Sequence, residues 1–274
     1  MLKKFLTLVI SVLIFHGLSL AAKVDTLNIF SKSMQKDIKC VVVLPDSYSG
    51  NTAYPVIYLL HGYGGNYASW LTIAPQLKNW ADENKVLIVC PDGATSWYFN
   101  SPLDASIRYE TFVATEVPAF IDSKYKTVNN RNGRAITGLS MGGHGALYIA
   151  IRHKDFFGAA GSTSGGVDFT PFPENWEIKK SLGEYKTHPD LWNENTVIHQ
   201  VDNLENGNLK IIIDCGVDDF FLQVNRDLNQ KLLEKKIDHD YIERPGGHTL
   251  EYWNNSIDFQ LLFFKKYFQS NKLL

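Results

Sequence analysis

The run Gly138-Leu139-Ser140-Met141-Gly142 follows a short apolar segment, Arg134 to Thr137, and leads through Gly142-Gly143-His144-Gly145-Ala146 into a helix-period stretch. A serine on so tight a strand-to-helix turn takes a strained backbone conformation that exposes its hydroxyl, and only small neighbours let the chain bend that sharply. The helix that follows points its N-terminal amides at the same place and favours negative charge developing there. The pattern predicts a nucleophilic Ser140. A serine hydroxyl is a poor nucleophile at neutral pH and needs a base. His248, in Pro245-Gly246-Gly247-His248 just after the apolar segment Asp240 to Arg244, is placed to be presented at a sheet edge and is the predicted base. His61 opens His61-Gly62-Tyr63-Gly64-Gly65 directly after Pro55 to Leu60, a stretch that suits an anion-binding loop working through a backbone amide rather than the imidazole. His144 is expected to pack under the serine turn, and His153, His188, His199 and His239 fall in helix ends, polar turns or a long connection. A carboxylate must orient the imidazole. The segment Leu209 to Cys215 runs into Gly216-Val217-Asp218-Asp219, where spacing leaves Asp218 and Asp219 both open; Asp214, still inside the segment, is the poorer candidate.

These residues need a scaffold, and the rest of the chain supplies its pattern. Short apolar runs bounded by turn residues predict strands at Ile38 to Leu44, Pro55 to Leu60, Val86 to Cys90, Arg134 to Thr137, Phe157 to Ser162, Leu209 to Cys215 and Asp240 to Arg244. Helix-period stretches alternate with them at Leu77 to Glu83, Ile107 to Tyr125, Gly143 to His153, Leu222 to Lys235 and Leu250 to Gln269. That alternation predicts an α/β fold, a mainly parallel sheet with helices on both faces. Pro118 should kink the Ile107 to Tyr125 helix, whose apolar stripe is Val113, Val117, Phe120 and Ile121. The Gly165 to Asn208 stretch, with Pro171, Pro173 and Pro189 among aromatic residues, is too long for a plain connection and reads as an insertion over one end of the sheet.

Composition narrows the function classes. With 274 residues, 45% hydrophobic and 20% charged, the sequence is that of a globular protein, read as a single domain over 23–274. Lys+Arg 27 against Asp+Glu 29 offers no basic face for a nucleic acid. Lys3 and Lys4 precede an apolar run, Phe5 to Leu20, that ends in Ser19-Leu20-Ala21-Ala22; residues 1–22 read as a cleaved export signal, since the run is short for a bilayer span. Losing those two lysines takes the net charge from −2 to −4 and leaves no apolar stretch of spanning length, hence no membrane contact after cleavage. Cys40, Cys90 and Cys215 are too few for a disulfide scaffold, and neither Cys nor His recurs at metal-ligand spacing.

The order Ser, Asp, His along the chain is that of α/β-hydrolases. Over nearly all of the mature chain the sequence resembles the esterase D-like family, which includes S-formylglutathione hydrolases, tributyrin esterases, mycolyltransferases, and the feruloyl and acetylxylan esterases of carbohydrate esterase family 1. The resemblance is carried by Tyr58-Leu59-Leu60-His61-Gly62-Tyr63-Gly64-Gly65, Ser96-Trp97-Tyr98, Gly138 to Gly145, Cys215-Gly216-Val217-Asp218-Asp219-Phe220 and Gly246-Gly247-His248. It implies an α/β-hydrolase fold, Asp219 as the acid, and the backbone amides of Met141 and Tyr63 as the oxyanion donors. It further implies a serine esterase that works through an acyl-enzyme without cofactor or metal, and the leader read from residues 1–22 makes it secreted or periplasmic. The export signal sets the chain apart from the cytoplasmic formylglutathione branch. An acyltransferase with an alcohol as acceptor, and a non-catalytic binding protein on the same scaffold, are the rival readings; oligomeric state leaves no mark in the sequence. In the strand order of that fold the strands of Cys40 and Cys90 are antiparallel neighbours, which leaves a bond between them open. Trp97, Tyr98, Phe172 and Trp176, with Phe169, are expected as aromatic walls of a shallow cleft that takes a small or flat acyl group, such as acetyl or feruloyl, from a small-molecule or polysaccharide ester.

Overall fold

A computed structural model describes residues 22–274, so the segment read as an export signal lies, except for Ala22, outside the described residues. The first strand, Lys23–Ser31 (β1), turns back into Lys36–Leu44 (β2) as an antiparallel hairpin. β1 is not among the predicted strands, and the reason is physical: it sits at the sheet edge, buries only Ile29 and Ser31, and so never needs an apolar run. The remaining strands are Val56–Leu60 (β3), Leu87–Pro91 (β4), Arg134–Gly138 (β5), Ala159–Thr163 (β6), Lys210–Gly216 (β7) and His239–Arg244 (β8), each within two residues of its predicted place. They form one sheet in the order β1-β2-β4-β3-β5-β6-β7-β8, parallel from β4 to β8, with β2 running antiparallel to β4. This is the α/β-hydrolase architecture.

Successive strand residues face opposite sides. Val56, Tyr58 and Leu60 of β3 join the core beneath the Val117–Lys124, Met141–Arg152 and Leu222–Glu234 helices, while Ile57 and Leu59 join the second core beneath Leu77–Asn84 and Leu250–Ser270. Among the described residues no helix is long and apolar enough to cross a membrane. The kink expected at Pro118 takes a definite form. Pro118 has no N–H to offer the carbonyl one turn back, and the chain ahead of it widens into a π-helical turn, Phe112–Glu116, before Val117–Lys124 continues as an α-helix. Between β6 and β7 the chain makes three short α-helices, Ile178–Leu182, Pro189–Glu194 and Val197–Gln200, and a 3-10 turn, Val201–Asn203.

The register of β2 on β4 closes the question of a Cys40–Cys90 bond. Cys40 lies opposite Pro91 and Val41 opposite Cys90. Neighbouring positions on adjacent strands point to opposite faces, so Cys40 is buried in one core and Cys90 in the other, and all three cysteines are free thiols. Burial pushes the Cys90 thiol up to about 12 and those of Cys40 and Cys215 up as well, which removes the reactive thiolate at neutral pH. A disulfide reagent such as DTNB should therefore find no thiol in the native protein and three in the denatured, unreduced protein; a count of one would overturn the register argument.

Candidate active site

β5 ends at Gly138, and two residues on Ser140 stands at φ 54, ψ −118, a conformation that costs a non-glycine residue about 1–3 kcal/mol. Its surroundings over-determine it. The Ser140 amide donates to the Thr163 carbonyl at 2.9 Å, and the Ser140 carbonyl accepts from the His144 amide at 3.1 Å and the Gly166 amide at 3.3 Å. Glycine is required at two neighbouring positions by close approach. A Cβ on Gly142 would lie 2.4 Å from the Leu60 carbonyl oxygen, and one on Gly138 would lie 2.6 Å from the backbone of Gly142. The Met141–Arg152 helix then starts directly behind the hydroxyl. The loop after β3 comes in from the other side, where a Cβ on Gly62 would be 3.4 Å from Ser140 Cβ. Among the described residues neither the Tyr63 amide nor the Met141 amide has a protein acceptor.

His248 Nε2 is 2.9 Å from Ser140 Oγ, and His248 Nδ1 is 2.9 Å from Asp219 Oδ2 and 3.1 Å from Oδ1. Asp219 Oδ1 also accepts the Phe221 amide at 2.8 Å, so the carboxylate, whose side chain is fully buried, is fixed in its plane. The loops carrying acid and base are stitched together: the Val217 amide donates to the Arg244 carbonyl at 2.9 Å and the Asp218 amide to the Gly246 carbonyl at 2.9 Å. The Asp218 side chain is exposed to solvent. Asp214 is committed elsewhere, accepting the Tyr252 and Ser256 hydroxyls at 2.7 Å each and pairing with Arg244 at 2.5 Å. Burial pushes its carboxyl up even with these partners beside it. The alternatives left open by spacing are thus separated by geometry, with Asp219 alone of the three on the imidazole.

His144 is wholly buried under the serine turn, as expected, stacked on Tyr148 with its ring nitrogens 3.0 Å from the Trp97 carbonyl and 2.8 Å from the Asn195 carbonyl. Burial lowers it to about 4, so it is neutral at physiological pH.

A cleft of about 360 Å³ opens over Ser140. Its floor is Gly62 to Gly65, Leu139 and Ser140, and its walls include Trp176, Phe220, Leu250 and Trp253. Of the five aromatic residues expected there, the structure brings Trp176 to the wall and sets Phe172 behind it, 5.5 Å between ring centroids. Trp97 and Tyr98 lie elsewhere. Both have positive φ, 55° and 61°, which folds their loop back beneath the Met141–Arg152 helix. There Tyr98 fills the space over Gly145 and Gly93 and donates its hydroxyl to the His61 carbonyl at 3.1 Å, while Trp97 packs on His144 at 5.4 Å. They brace the turn from below, and Phe169, wholly buried, packs on Trp97 and His144. Sequence reasoning missed Phe220 and Trp253 as walls. The Phe220 ring lies 4.3 Å from the His248 ring and stacks on Trp176 at 6.0 Å, and the Trp253 ring meets His248 edge-on at 4.9 Å. The available signal was adjacency: Phe220 follows Asp219, and Trp253 sits in the first turn of the helix that begins just after His248.

Residues 31–264 match the model of a protein family described as "Putative esterase". Over 255 residues the chain is 29% identical to an acetyl esterase of Caldicellulosiruptor saccharolyticus, covering 84% of this chain and 94% of that relative. A diacylglycerol acyltransferase/mycolyltransferase Ag85A of Mycobacterium gordonae is 28% identical over 212 residues, 70% of this chain and 60% of its own length. Among solved structures, a ferulic acid esterase aligns with a TM-score of 0.77 at 29% identity, covering 90% of this chain and 98% of that one.

Proposed function

The chain belongs to the esterase family, and from that premise we propose that it is an exported serine carboxylic-ester hydrolase acting on short-chain or aromatic acyl esters. The observation that carries the reading is the continuous chain of contacts from Ser140 Oγ through His248 to Asp219, beside two backbone amides free to bind an oxyanion. Ser140 attacks the ester carbonyl while His248 Nε2 takes its proton; Asp219 holds the Nδ1 proton and stabilises the imidazolium that forms. The Tyr63 and Met141 amides take up the negative charge of the tetrahedral intermediate. As it collapses, His248 returns the proton to the leaving alcohol. Water, deprotonated by the same imidazole, then releases the acid from the acyl-enzyme.

Export is proposed from the leader-like residues 1–22. The substrate class is proposed from the aromatic cleft and from similarity to an acetyl esterase and a ferulic acid esterase. A flat acyl group fits between Trp176 and Phe220 on one side and Trp253 on the other, leaving the alcohol, a sugar of an acylated polysaccharide, toward solvent. Acetate, butyrate and ferulate esters should be cleaved, and p-nitrophenyl palmitate slowly or not at all. Trp176→Ala and Phe220→Ala should each lower the ratio of feruloyl to acetyl turnover about fivefold, the scale of one lost aromatic contact. Trp97→Ala, whose ring backs Trp176 at 5.5 Å without lining the cleft, should lower Tm and move the ratio less than either cleft variant. Faster cleavage of palmitate than of acetate, or a ratio unmoved in both cleft variants, would refute this cleft assignment. Similarity to the mycolyltransferase favours an alcohol acceptor as the second reading, which a product assay with added glycerol separates from hydrolysis.

A further inference from the structure

Resting on the esterase reading, we propose that the His61 imidazole is a positioning residue that aims the Tyr63 amide at the oxyanion. His61 follows β3 directly and is 1% exposed, so its ring does not reach the substrate. Its two nitrogens have different partners. The Gly93 amide donates to Nε2 at 2.8 Å, which requires a lone pair there and puts the proton of the neutral ring on Nδ1. Asp92 Oδ1, 3.6 Å from Nε2, is too far to compete as a hydrogen-bond acceptor. The Nδ1–H then donates to the Gly62 carbonyl at 2.8 Å.

That carbonyl also accepts the Gly65 amide at 3.0 Å, so both of its lone pairs are engaged. The Gly62 carbonyl and the Tyr63 amide belong to one peptide unit, which is planar and trans, so C=O and N–H point in opposite directions. Holding the carbonyl on the His61 side therefore turns the amide away from His61, and this amide has no acceptor among the described residues. Gly62 itself lies against Ser140. Apart from that Gly65 bond the loop gives the plane little restraint of its own: residues 62, 64 and 65 are glycines, and Gly64 stands at φ +78. The loop wraps closely on the imidazole, for a Cβ on Gly65 would be 3.1 Å from Nδ1. His61 thus connects the loop after β4, through Gly93, to the direction of one oxyanion donor.

Two substitutions separate this role from simple packing. Glutamine can place its carbonyl oxygen near the Nε2 position and keep the Gly93 bond, but it has no donor at the Nδ1 position; asparagine does the converse. His61→Gln should lower kcat for p-nitrophenyl acetate about 10- to 100-fold, up to the loss of an oxyanion donor itself, with KM within about threefold. Its affinity for phenylboronic acid, which forms a tetrahedral adduct on Ser140, should fall by the same factor, while the midpoint of the kcat/KM pH profile stays put. His61→Asn should keep kcat within about fivefold. A His61→Gln enzyme with wild-type kcat, or equal losses in the two variants, overturns the proposal. Should His61→Gln fail to fold, nitrogen NMR of the wild-type protein decides: a neutral ring protonated on Nδ1 upholds the assignment, and one protonated on Nε2 overturns it. A wild-type protein that cleaves no ester and takes up no fluorophosphonate sinks the esterase reading itself, whereas an active wild type beside an equally active His61→Gln sinks only the role of His61.

Discussion

Ser140→Ala should lose ester turnover by about 10⁴-fold or more and should no longer be labelled by a fluorophosphonate probe, while its Tm stays within a few degrees of wild type. The size of the effect follows from the arrangement. Removing Oγ takes away the hydroxyl that lies 2.9 Å from His248 Nε2, so neither nucleophile nor proton transfer survives, and only the oxyanion amides and the cleft remain to assist water. The fold should not notice. The strained turn at Ser140 is held by backbone bonds to Thr163, His144 and Gly166 and by the close approach of Gly138 and Gly142, none of which involves the hydroxyl. Steady-state kinetics, gel-based labelling and a thermal melt on the same preparation check all three expectations. A folded variant that keeps a tenth of wild-type activity would remove Ser140 from the mechanism.

The legible parts of this molecule are those where local chemistry and position coincide. Gly138 to Gly145 announces a strand, a sharp turn and a helix start in eight residues, and each glycine there is needed by a close approach that neighbouring residues also signal. The strands buried on both faces show as largely apolar runs because a polar group there must find a partner, as Thr137 does on Gln260 and Asp214 on Tyr252 and Ser256. β1 escapes because it lies at the edge, where Asp25, Asn28 and Phe30 are only partly covered or exposed. The cleft walls escape for another reason. Which way Trp97 and Tyr98 turn depends on two successive residues in the left-handed region, an unfavourable choice for bulky side chains that only the tertiary fold enforces. Their loop leaves the correct end of β4, and then goes under the catalytic turn instead of over it. Likewise, apolar runs placed the strands of Cys40 and Cys90, but a one-residue difference in register decides whether two side chains share a face.

Asp219→Asn should be as damaging as a lost base, about 10⁴-fold in kcat, while Asp218→Asn should stay within a few-fold of wild type. The argument turns on the Phe221 amide. It donates to Asp219 Oδ1 at 2.8 Å, so an asparagine at this position must keep its carbonyl oxygen there and turn its NH₂ group toward His248 Nδ1. A donor facing Nδ1 forces the imidazole proton onto Nε2, where it points at Ser140 Oγ and leaves the base with nothing to accept a proton. The opposite flip would orient the ring correctly but set the NH₂ against the Phe221 N–H inside a buried site, where an unmatched pair costs about 1–3 kcal/mol. The damage therefore comes from a misplaced proton more than from a lost charge, and Asp219→Asn should regain activity at high pH as attack by deprotonated species takes over. Asp218 makes its structural contact through its backbone amide, and its exposed carboxylate touches neither His248 nor Ser140, so neutralising it leaves the proton path intact. The reverse pattern, a crippled Asp218→Asn beside a nearly normal Asp219→Asn, would mean that the imidazole takes its orientation from a different carboxylate than the one at 2.9 Å.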